Sequence, residues 1–228
     1  MKTYIKSNKH KPLSFTFFMF AILVVVACFV SCSKDNSNAS VSAYVMAANS
    51  AQTSSPQDFY VDNAKQNNSP MAYGQSSGFI AINSGSHQGQ FKTSSTANVN
   101  SSFSFTTSPG TYYTIYYADD NSATTTQNDR TAPQSGNSRV RFINLNAALN
   151  SSVDFGINGG AKVVSGLAYK TASTYNEVAA ASQFSLYSSG SSTVLLNIPV
   201  VLQAGKIYTV VISGTTSATV SYTLVAEN

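Results

Sequence analysis

The chain has 228 residues, with 13 Lys and Arg against 9 Asp and Glu, and a formal net charge of +4. Four of the lysines lie in the first eleven residues, so the rest of the chain is balanced at nine basic and nine acidic side chains. Nucleic-acid binding needs a clustered basic surface, so we expect no nucleic-acid partner. Both cysteines, Cys28 and Cys32, lie near the N-terminus, so the remainder holds no internal disulfide and depends on an apolar core.

Residues 1–31 have the layout of a signal peptide. A lysine-rich start precedes an apolar stretch, and the small residue Ser31 stands directly before Cys32. A cysteine in this place resembles the lipobox of bacterial lipoproteins, in which the leader is removed and the cysteine is acylated. The resemblance implies a lipid anchor at Cys32 that holds the protein to a membrane.

Two alternatives remain open at this end of the chain. Residues 25–28 also fit a lipobox, but cleavage before Cys28 would leave an apolar mature start, whereas Cys32 opens a polar tether at 32–41. The apolar run is also about long enough for a retained membrane helix, since ~20 apolar residues span a bilayer.

Ser-Lys-Asp at 33–35 resembles the start of surface lipoproteins in Bacteroidetes-type bacteria, which implies an outer-membrane protein that faces outward.

The rest of the chain contains the same module twice. Residues 58–62 (Asp-Phe-Tyr-Val-Asp) match residues 154–158 (Asp-Phe-Gly-Ile-Asn), and one block before and two blocks after them also match, in the same order and at offsets of 95 or 96. A drift by one residue is what a single-residue loop insertion would produce. We predict a first module at 42–130, a linker at 131–137 and a second module at 138–228.

The two modules have the composition and spacing of β structure. Short runs rich in Tyr, Thr, Val and Ile alternate with turn signals at intervals of about 8–12 residues. Helical spacing with caps is not found over any stretch of a dozen residues. The prediction is an all-β fold of two tandem immunoglobulin-like β-sandwich modules, because a repeat of about 95 residues has the size of such a domain.

Four segments of the second module form a recognisable pattern: Ser-Arg-Val-Arg-Phe-Ile-Asn at 138–144, Val-Asp-Phe-Gly-Ile-Asn-Gly at 153–159, Gly-Leu-Ala-Tyr at 166–169 and Ala-Gly-Lys-Ile-Tyr-Thr-Val-Val at 204–211. Together they resemble the domain of unknown function 4397 family of bacterial envelope proteins over 138–214. The resemblance implies a β-sandwich on a secreted or lipid-anchored protein and no established chemistry. The first module fits more loosely, with Asp62-Asn63 in place of the Asn-Gly pair.

Few side chains suggest catalysis or metal binding. His87, the only histidine after the leader, lies in a Gly- and Ser-rich stretch that predicts a solvated loop. No cysteine or second histidine can join it in a zinc site, and residues 119–121 (Asp-Asp-Asn) lack the spacing of a calcium loop. Asp58 and Asp154 are equivalent in the repeat and are predicted to accept hydrogen bonds from backbone amides of the preceding turn. We therefore expect no catalytic residue, metal or cofactor.

The densest aromatic run of the chain predicts a strand. Tyr113, Ile115 and Tyr117 are predicted to share a core face, because their counterparts in the second module are large and mostly apolar. Tyr112 and Tyr116 then point to the other side. If exposed, they are the best candidates for stacking on a ligand such as a sugar ring. The alternative is a strand that is buried on both faces.

These features predict a non-enzymatic cell-envelope lipoprotein whose modules are structural or bind a glycan or protein partner. The alternative is a hydrolase that acts on surface polysaccharide. An enzyme would need paired acids, or a nucleophile with its base, in one cleft, and the sequence shows neither pattern.

Overall fold

The computed structural model describes residues 1–3, 41–149 and 152–228. Both cysteines, nearly all of the predicted leader and most of the tether lie outside the described residues, so the lipid anchor stays a prediction. In the part of the chain that is described, no helix is long and apolar enough to cross a membrane. Residues 40–228 form one compact unit.

The first sandwich consists of eight strands. They are β1 (Ser42–Asn49), β2 (Gln57–Val61), β3 (Ala64–Lys65), β4 (Ile80–Asn83), β5 (Gly85–Thr93), β6 (Val99–Thr107), β7 (Tyr112–Tyr117) and β8 (Ala123–Asn128). One sheet, here called the first inner sheet, has the order β4-β1-β7-β8, and the first outer sheet has the order β3-β2-β5-β6.

The second sandwich repeats this arrangement. Its strands are β9 (Asn137–Asn144), β10 (Val153–Ile157), β11 (Lys162–Leu167), β12 (Asn176–Ala179), β13 (Phe184–Ser188), β14 (Val194–Ile198), β15 (Ile207–Ser213) and β16 (Ser221–Ala226). The second inner sheet has the order β12-β9-β15-β16 and the second outer sheet β11-β10-β13-β14. A short 3-10 turn, Ser217–Thr219, precedes β16.

The two sandwiches agree in topology and in register. β1 pairs in parallel with β7, and β9 with β15, while the remaining neighbours are antiparallel. Tyr44 lies opposite Tyr112 in the first pair, and at the equivalent positions Arg139 lies opposite Ile207. The all-β prediction is therefore confirmed: four sheets form two sandwich-like units.

Turn residues in the first sandwich fit the backbone they must adopt. Asp62 and Asn63 connect β2 to β3 with φ angles of 49° and 67°. Positive φ at both central residues is the requirement of a type I′ hairpin turn, and Asn and Asp tolerate it better than other residues with a side chain. The Asp-Asn pair thus performs the role that the sequence pattern assigns to Asn-Gly.

Each sandwich encloses its own apolar core. Tyr113, Ile115 and Tyr117 lie together in the first core, which confirms that they share a face. In the second core the rings of Phe142 and Phe155 stack with centroids 4.3 Å apart. The alternation along β7 therefore follows the period of two that a strand imposes.

A third apolar cluster joins the two sandwiches. The first sandwich contributes buried residues from β1 and β7 and the residue after β7: Met46, Ala48, Tyr116 and Ala118. The second contributes buried residues from β9, β15 and β16 and the residue after β9: Ile143, Leu145, Val211 and Val225. The inner sheets thus pack against each other through the faces that do not line their own cores, and their central strands are buried on both faces. Each sandwich also has its own core, and we therefore predict that residues 138–228 fold independently.

Candidate ligand-binding surface

Tyr116 cannot bind a ligand at the surface, contrary to the prediction. Its side chain is fully buried between the two inner sheets, and its hydroxyl lies 3.3 Å from Nη2 of Arg141. Burial raises the pKa of this phenol. The strand that carries Tyr116 is covered on its second face by the other sandwich, which is the alternative that the sequence left open.

Tyr112 lies in a different environment, at the rim of the first inner sheet. The register places Ala81, Tyr44, Tyr112 and Asn128 side by side on adjacent strands, and residues opposite each other in a sheet share a face. The rings of Tyr44 and Tyr112 stack with centroids 4.5 Å apart and an interplanar angle of 11°. Both side chains are half-buried.

Two further side chains lie next to this pair of tyrosines. Phe79 contacts Tyr112 edge-on, with centroids 5.0 Å apart. The guanidinium of Arg130 lies 4.6 Å from the Tyr112 centroid and 5.3 Å from that of Phe79. We use the name tyrosine row for the three aromatic residues Tyr44, Phe79 and Tyr112, and Arg130 flanks this row. Because one face of the Tyr112 ring is stacked on Tyr44, Arg130 must lie over the other face.

The tyrosine row offers both a flat apolar face and free polar atoms. The Tyr44 ring face away from Tyr112 looks toward Ala81, a small exposed residue on the edge strand β4. Within the described residues, neither the Tyr44 nor the Tyr112 hydroxyl has a hydrogen-bond partner. An aromatic face beside unpaired hydroxyls suits a ligand that has both apolar ring faces and hydroxyl groups.

A buried polar network lies next to the row, and its charged groups are already paired with one another. Arg141 pairs with Glu227 at 2.9 Å, donates from Nε to Thr209 at 2.8 Å and reaches the Gln127 carbonyl oxygen of the first sandwich at 2.8 Å. Tyr175 donates to the second carboxylate oxygen of Glu227, and burial raises the pKa of this phenol. The network holds the two sandwiches together and has no carboxylate to spare for chemistry.

A cleft of about 390 Å³ opens beside this network. Arg139 lies on its wall, 5.0 Å from the Tyr175 centroid, and is held by Asp129 at 2.7 Å and by the Thr131 carbonyl oxygen at 2.7 Å. The Arg139 hydrogen bond, with those from Thr131, lowers the pKa of Asp129. Each arginine on this wall, Arg139 and Arg141, thus already has a carboxylate partner.

His87 was predicted to lie in a solvated loop, but it lies in strand β5. Its side chain is buried, with Nδ1 2.7 Å from Asp62 and Nε2 2.8 Å from the Asn83 carbonyl oxygen. The Gly- and Ser-rich stretch forms a strand because β5 pairs with both β2 and β6. The hydrogen bond from His87 lowers the pKa of Asp62, and the amide of Gln88 adds to this effect. His87 therefore ties the β2–β3 turn to the end of β4.

Asp58 and Asp154 each bind a lysine of their own sandwich. Lys65 lies 2.9 Å from Asp58, and Lys162 lies 2.6 Å from Asp154. Burial alone would raise the pKa of Asp154, but the hydrogen bonds from Lys162 and two backbone amides lower it to about 2.

The predicted partners of these two acids need correction. The backbone amides that donate to Asp154 belong to Gly166 in strand β11 and to Gly190 in the turn after β13, not to the preceding turn. Asp58 instead accepts from the side chain of Asn67 at 3.1 Å. Both acids lie on the face of their outer sheet that is turned away from the core, and their partners come from residues that follow them in the chain.

The two acids at 119–121, Asp119 and Asp120, contact residues of the second sandwich. Asp119 accepts from the Gly214 amide at 2.9 Å, and Asp120 pairs with Lys170 at 2.7 Å and with the Tyr169 hydroxyl at 2.8 Å. Across the described ranges, no group of three His, Cys, Asp or Glu side chains is placed to hold a metal ion.

Sequence reasoning missed Tyr44, the partner that makes Tyr112 part of a surface. Tyr44 and Tyr112 are brought together by a parallel pairing of β1 and β7, which are separated by five strands along the chain. No local spacing indicates such a contact. The one available signal was the position of both tyrosines on the strand face opposite the core residues Val45 and Tyr113.

Comparison with known proteins gives a family for part of the chain. The model of the family described as Domain of unknown function (DUF4397) matches residues 43–151. No curated protein matches the chain. A crystal structure of CBMbc (family CBM26) from Eubacterium rectale Amy13K in complex with maltoheptaose covers 82% of this chain and 97% of its own, at 10% identity and a TM-score of 0.28. A TM-score at this level carries no argument about the ligand of this chain.

The family match is displaced from the segment in which the sequence pattern was clearest. The resemblance was predicted over 138–214, whereas the match covers the first sandwich and continues through β9. The features that the first sandwich lacks are replaced by equivalents: Asp62-Asn63 forms the turn, and Met46 fills the interface position that Arg141 occupies in the second. Residues 43–151 therefore contain a DUF4397 domain.

Proposed function

We propose that this chain is a non-catalytic lipoprotein of the bacterial outer membrane, anchored at Cys32 and facing outward, that binds a glycan on the tyrosine row. The observation that supports the glycan is the stacked, half-buried pair Tyr44 and Tyr112, whose hydroxyls have no partner among the described residues. A sugar ring packs on the Tyr44 face above Ala81, and its hydroxyl groups bind the two phenols.

The alternative of a polysaccharide hydrolase has no support in the site. Asp58 and Asp154 lie in different outer sheets, and each is neutralised by its own lysine. A glycosidase needs two carboxyl groups on either side of one bond. A protein partner that docks on the same row is the second alternative, and it predicts that no glycan retains the chain.

The test is retention of the full chain on a glycan array, with tyrosine variants. Tyr44→Ala and Tyr112→Ala should each weaken binding by about thirtyfold, as expected for an aromatic anchor worth about 2 kcal/mol. Tyr60→Ala is the matched control, because Tyr60 also carries a cation over its ring, Lys92 at 4.2 Å, but lies on the outer sheet. Equal losses in all three variants, or binding unchanged by Tyr44→Ala, would refute the row as the site.

The anchor is tested separately. Cys32→Ala should release the protein from the membrane fraction or leave an unprocessed precursor, and Cys28→Ala should have no effect. If lipid labelling persists in Cys32→Ala and disappears in Cys28→Ala, the acylated residue is Cys28.

A further inference from the structure

We infer that the glycan bound by the tyrosine row is acidic, and that Arg130 binds its carboxylate or sulfate group. This inference rests on the proposed glycan-binding function and adds the charge of the ligand to it. The two ring hydroxyls and the Tyr44 face would accept a neutral sugar equally well, so the charge is determined by Arg130 alone.

Arg130 is an exposed cation held on an aromatic surface. Its guanidinium lies over Tyr112 at 4.6 Å, and Nη1 donates to the backbone carbonyl oxygen of Glu227. A carbonyl oxygen and a ring face fix the orientation of the guanidinium without neutralising its charge. The group is therefore positioned and remains charged, which is the state in which an arginine binds an anion.

No carboxylate pairs with Arg130 among the described residues, in contrast to the other two arginines there. Arg139 is paired with Asp129 at 2.7 Å and Arg141 with Glu227 at 2.9 Å. Asp129 and Arg130 are neighbours in the connecting segment, residues 129–136 between β8 and β9, but Asp129 pairs with Arg139 instead. Asp129 and the Glu227 carboxylate are thus paired with the other two arginines, and no described carboxylate forms an ion pair with Arg130.

Arg130 has hydrogen-bond donors beyond the one that Nη1 uses. Nη1 makes the one hydrogen bond from this guanidinium to a described residue, so Nε and Nη2 are available. Two parallel N–H groups match the two oxygens of a carboxylate or sulfate. Because Tyr44 and Tyr112 both lie between the free Tyr44 face and Arg130, a ligand that stacks on Tyr44 must extend past both rings, by more than one sugar unit, to reach Arg130. The geometry points to an acidic oligosaccharide.

The experiment compares binding of the full chain to pairs of oligosaccharides that differ in charge alone, a neutral glycan and its uronic-acid counterpart. We expect the acidic member to bind about tenfold more tightly at low salt, as for a charge-assisted hydrogen bond. This preference should fall as ionic strength rises. Arg130→Gln should abolish the preference and retain binding of the neutral member. Lys92→Gln is the matched control, since Lys92 also lies over a tyrosine ring, and it should retain the preference.

The outcomes separate this inference from the proposed function. Binding of both members with equal affinity, or a preference that persists in Arg130→Gln, would overturn the acidic ligand and leave the glycan function intact. If neither member of any pair is retained, the glycan function fails and the inference falls with it. Loss of all binding in Arg130→Gln with an unchanged circular dichroism spectrum would assign Arg130 to general binding and overturn its role in charge selection.

Discussion

The two sandwiches have the same topology but differ at the rim of their inner sheets. In the first, Ala81, Tyr44 and Tyr112 stand side by side; in the second, the same three register positions hold Glu177, Arg139 and Ile207. The first rim is an open aromatic row, while the second is closed by Arg139, Asp129 and Thr131. A repeated scaffold can therefore present a candidate binding surface in one copy and a structural joint in the other.

The connecting segment contributes to both rims. Arg130 covers Tyr112 of the first sandwich, whereas its neighbours Asp129 and Thr131 hold Arg139 of the second. Alternation of side chains along an extended segment explains this division, because successive residues point to opposite sides. The segment between the sandwiches is thus a part of the interface and of the candidate site, not only a spacer.

The largest expected effect concerns Arg141, whose equivalent in the first sandwich is Met46. Arg141→Met should lower the free energy of unfolding by about 4 kcal/mol, because Glu227 would stay buried without its charge partner. Urea denaturation measures the loss. The double variant Arg141→Met/Glu227→Leu should recover most of it, since an apolar pair can replace a buried ion pair. A single variant as stable as the parent would show that the ion pair does not hold the joint.

The next effect contrasts Tyr116 with Tyr112 on the same strand. Tyr116→Ala should cost about 3 kcal/mol, because a large aromatic side chain is removed from a fully buried position. Tyr112→Ala should cost about 1 kcal/mol, the value of one half-exposed aromatic stack. Thermal unfolding followed by circular dichroism separates the two. Equal losses would contradict the different burial of the two tyrosines.

A smaller effect on stability is expected from the ionisation of Asp154, the counterpart of Asp58 in the second sandwich. The pKa of Asp154 is about 2 in the folded protein, below the ~3.9 of an unfolded chain. The unfolded state therefore binds more protons, and the contribution of about 2.6 kcal/mol is complete above about pH 5 and is lost as the pH falls through about 4 toward 2. Asp154→Asn should make stability less dependent on pH in this window. A slope unchanged by the substitution would contradict the low pKa.

The smallest effect concerns the hairpin turns. Asn63 has a φ of 67°, and the second sandwich has Gly159 with a φ of 72° in the corresponding turn. Asn63→Gly should change stability by less than about 0.5 kcal/mol, whereas Asn63→Ala should cost about 1 kcal/mol because alanine disfavours positive φ. Differential scanning calorimetry measures both variants. A neutral Asn63→Ala would show that this turn does not restrain the sandwich.

The core face of β7 was predictable because local alternation decides it. Tyr113, Ile115 and Tyr117 follow the period of two, and the structure places them in the first core. The environment of His87 was not predictable in the same way. Its Gly- and Ser-rich segment has weak strand propensity, and its burial arises from pairing with β2 and β6 on either side.

What the sequence by itself determined is the β class and the core face of each repeat, because strand alternation, turn residues and a repeat of about 95 residues are local or periodic signals. Only the tertiary structure decided which residues on the second face of the inner sheets are buried. Tyr112 and Tyr116 stand on the same side of one strand, yet packing of the second sandwich buries Tyr116 and leaves Tyr112 at the rim beside Tyr44. Packing between sheets depends on contacts that are distant in the chain, and no local pattern encodes which residues of an apolar strand will be covered.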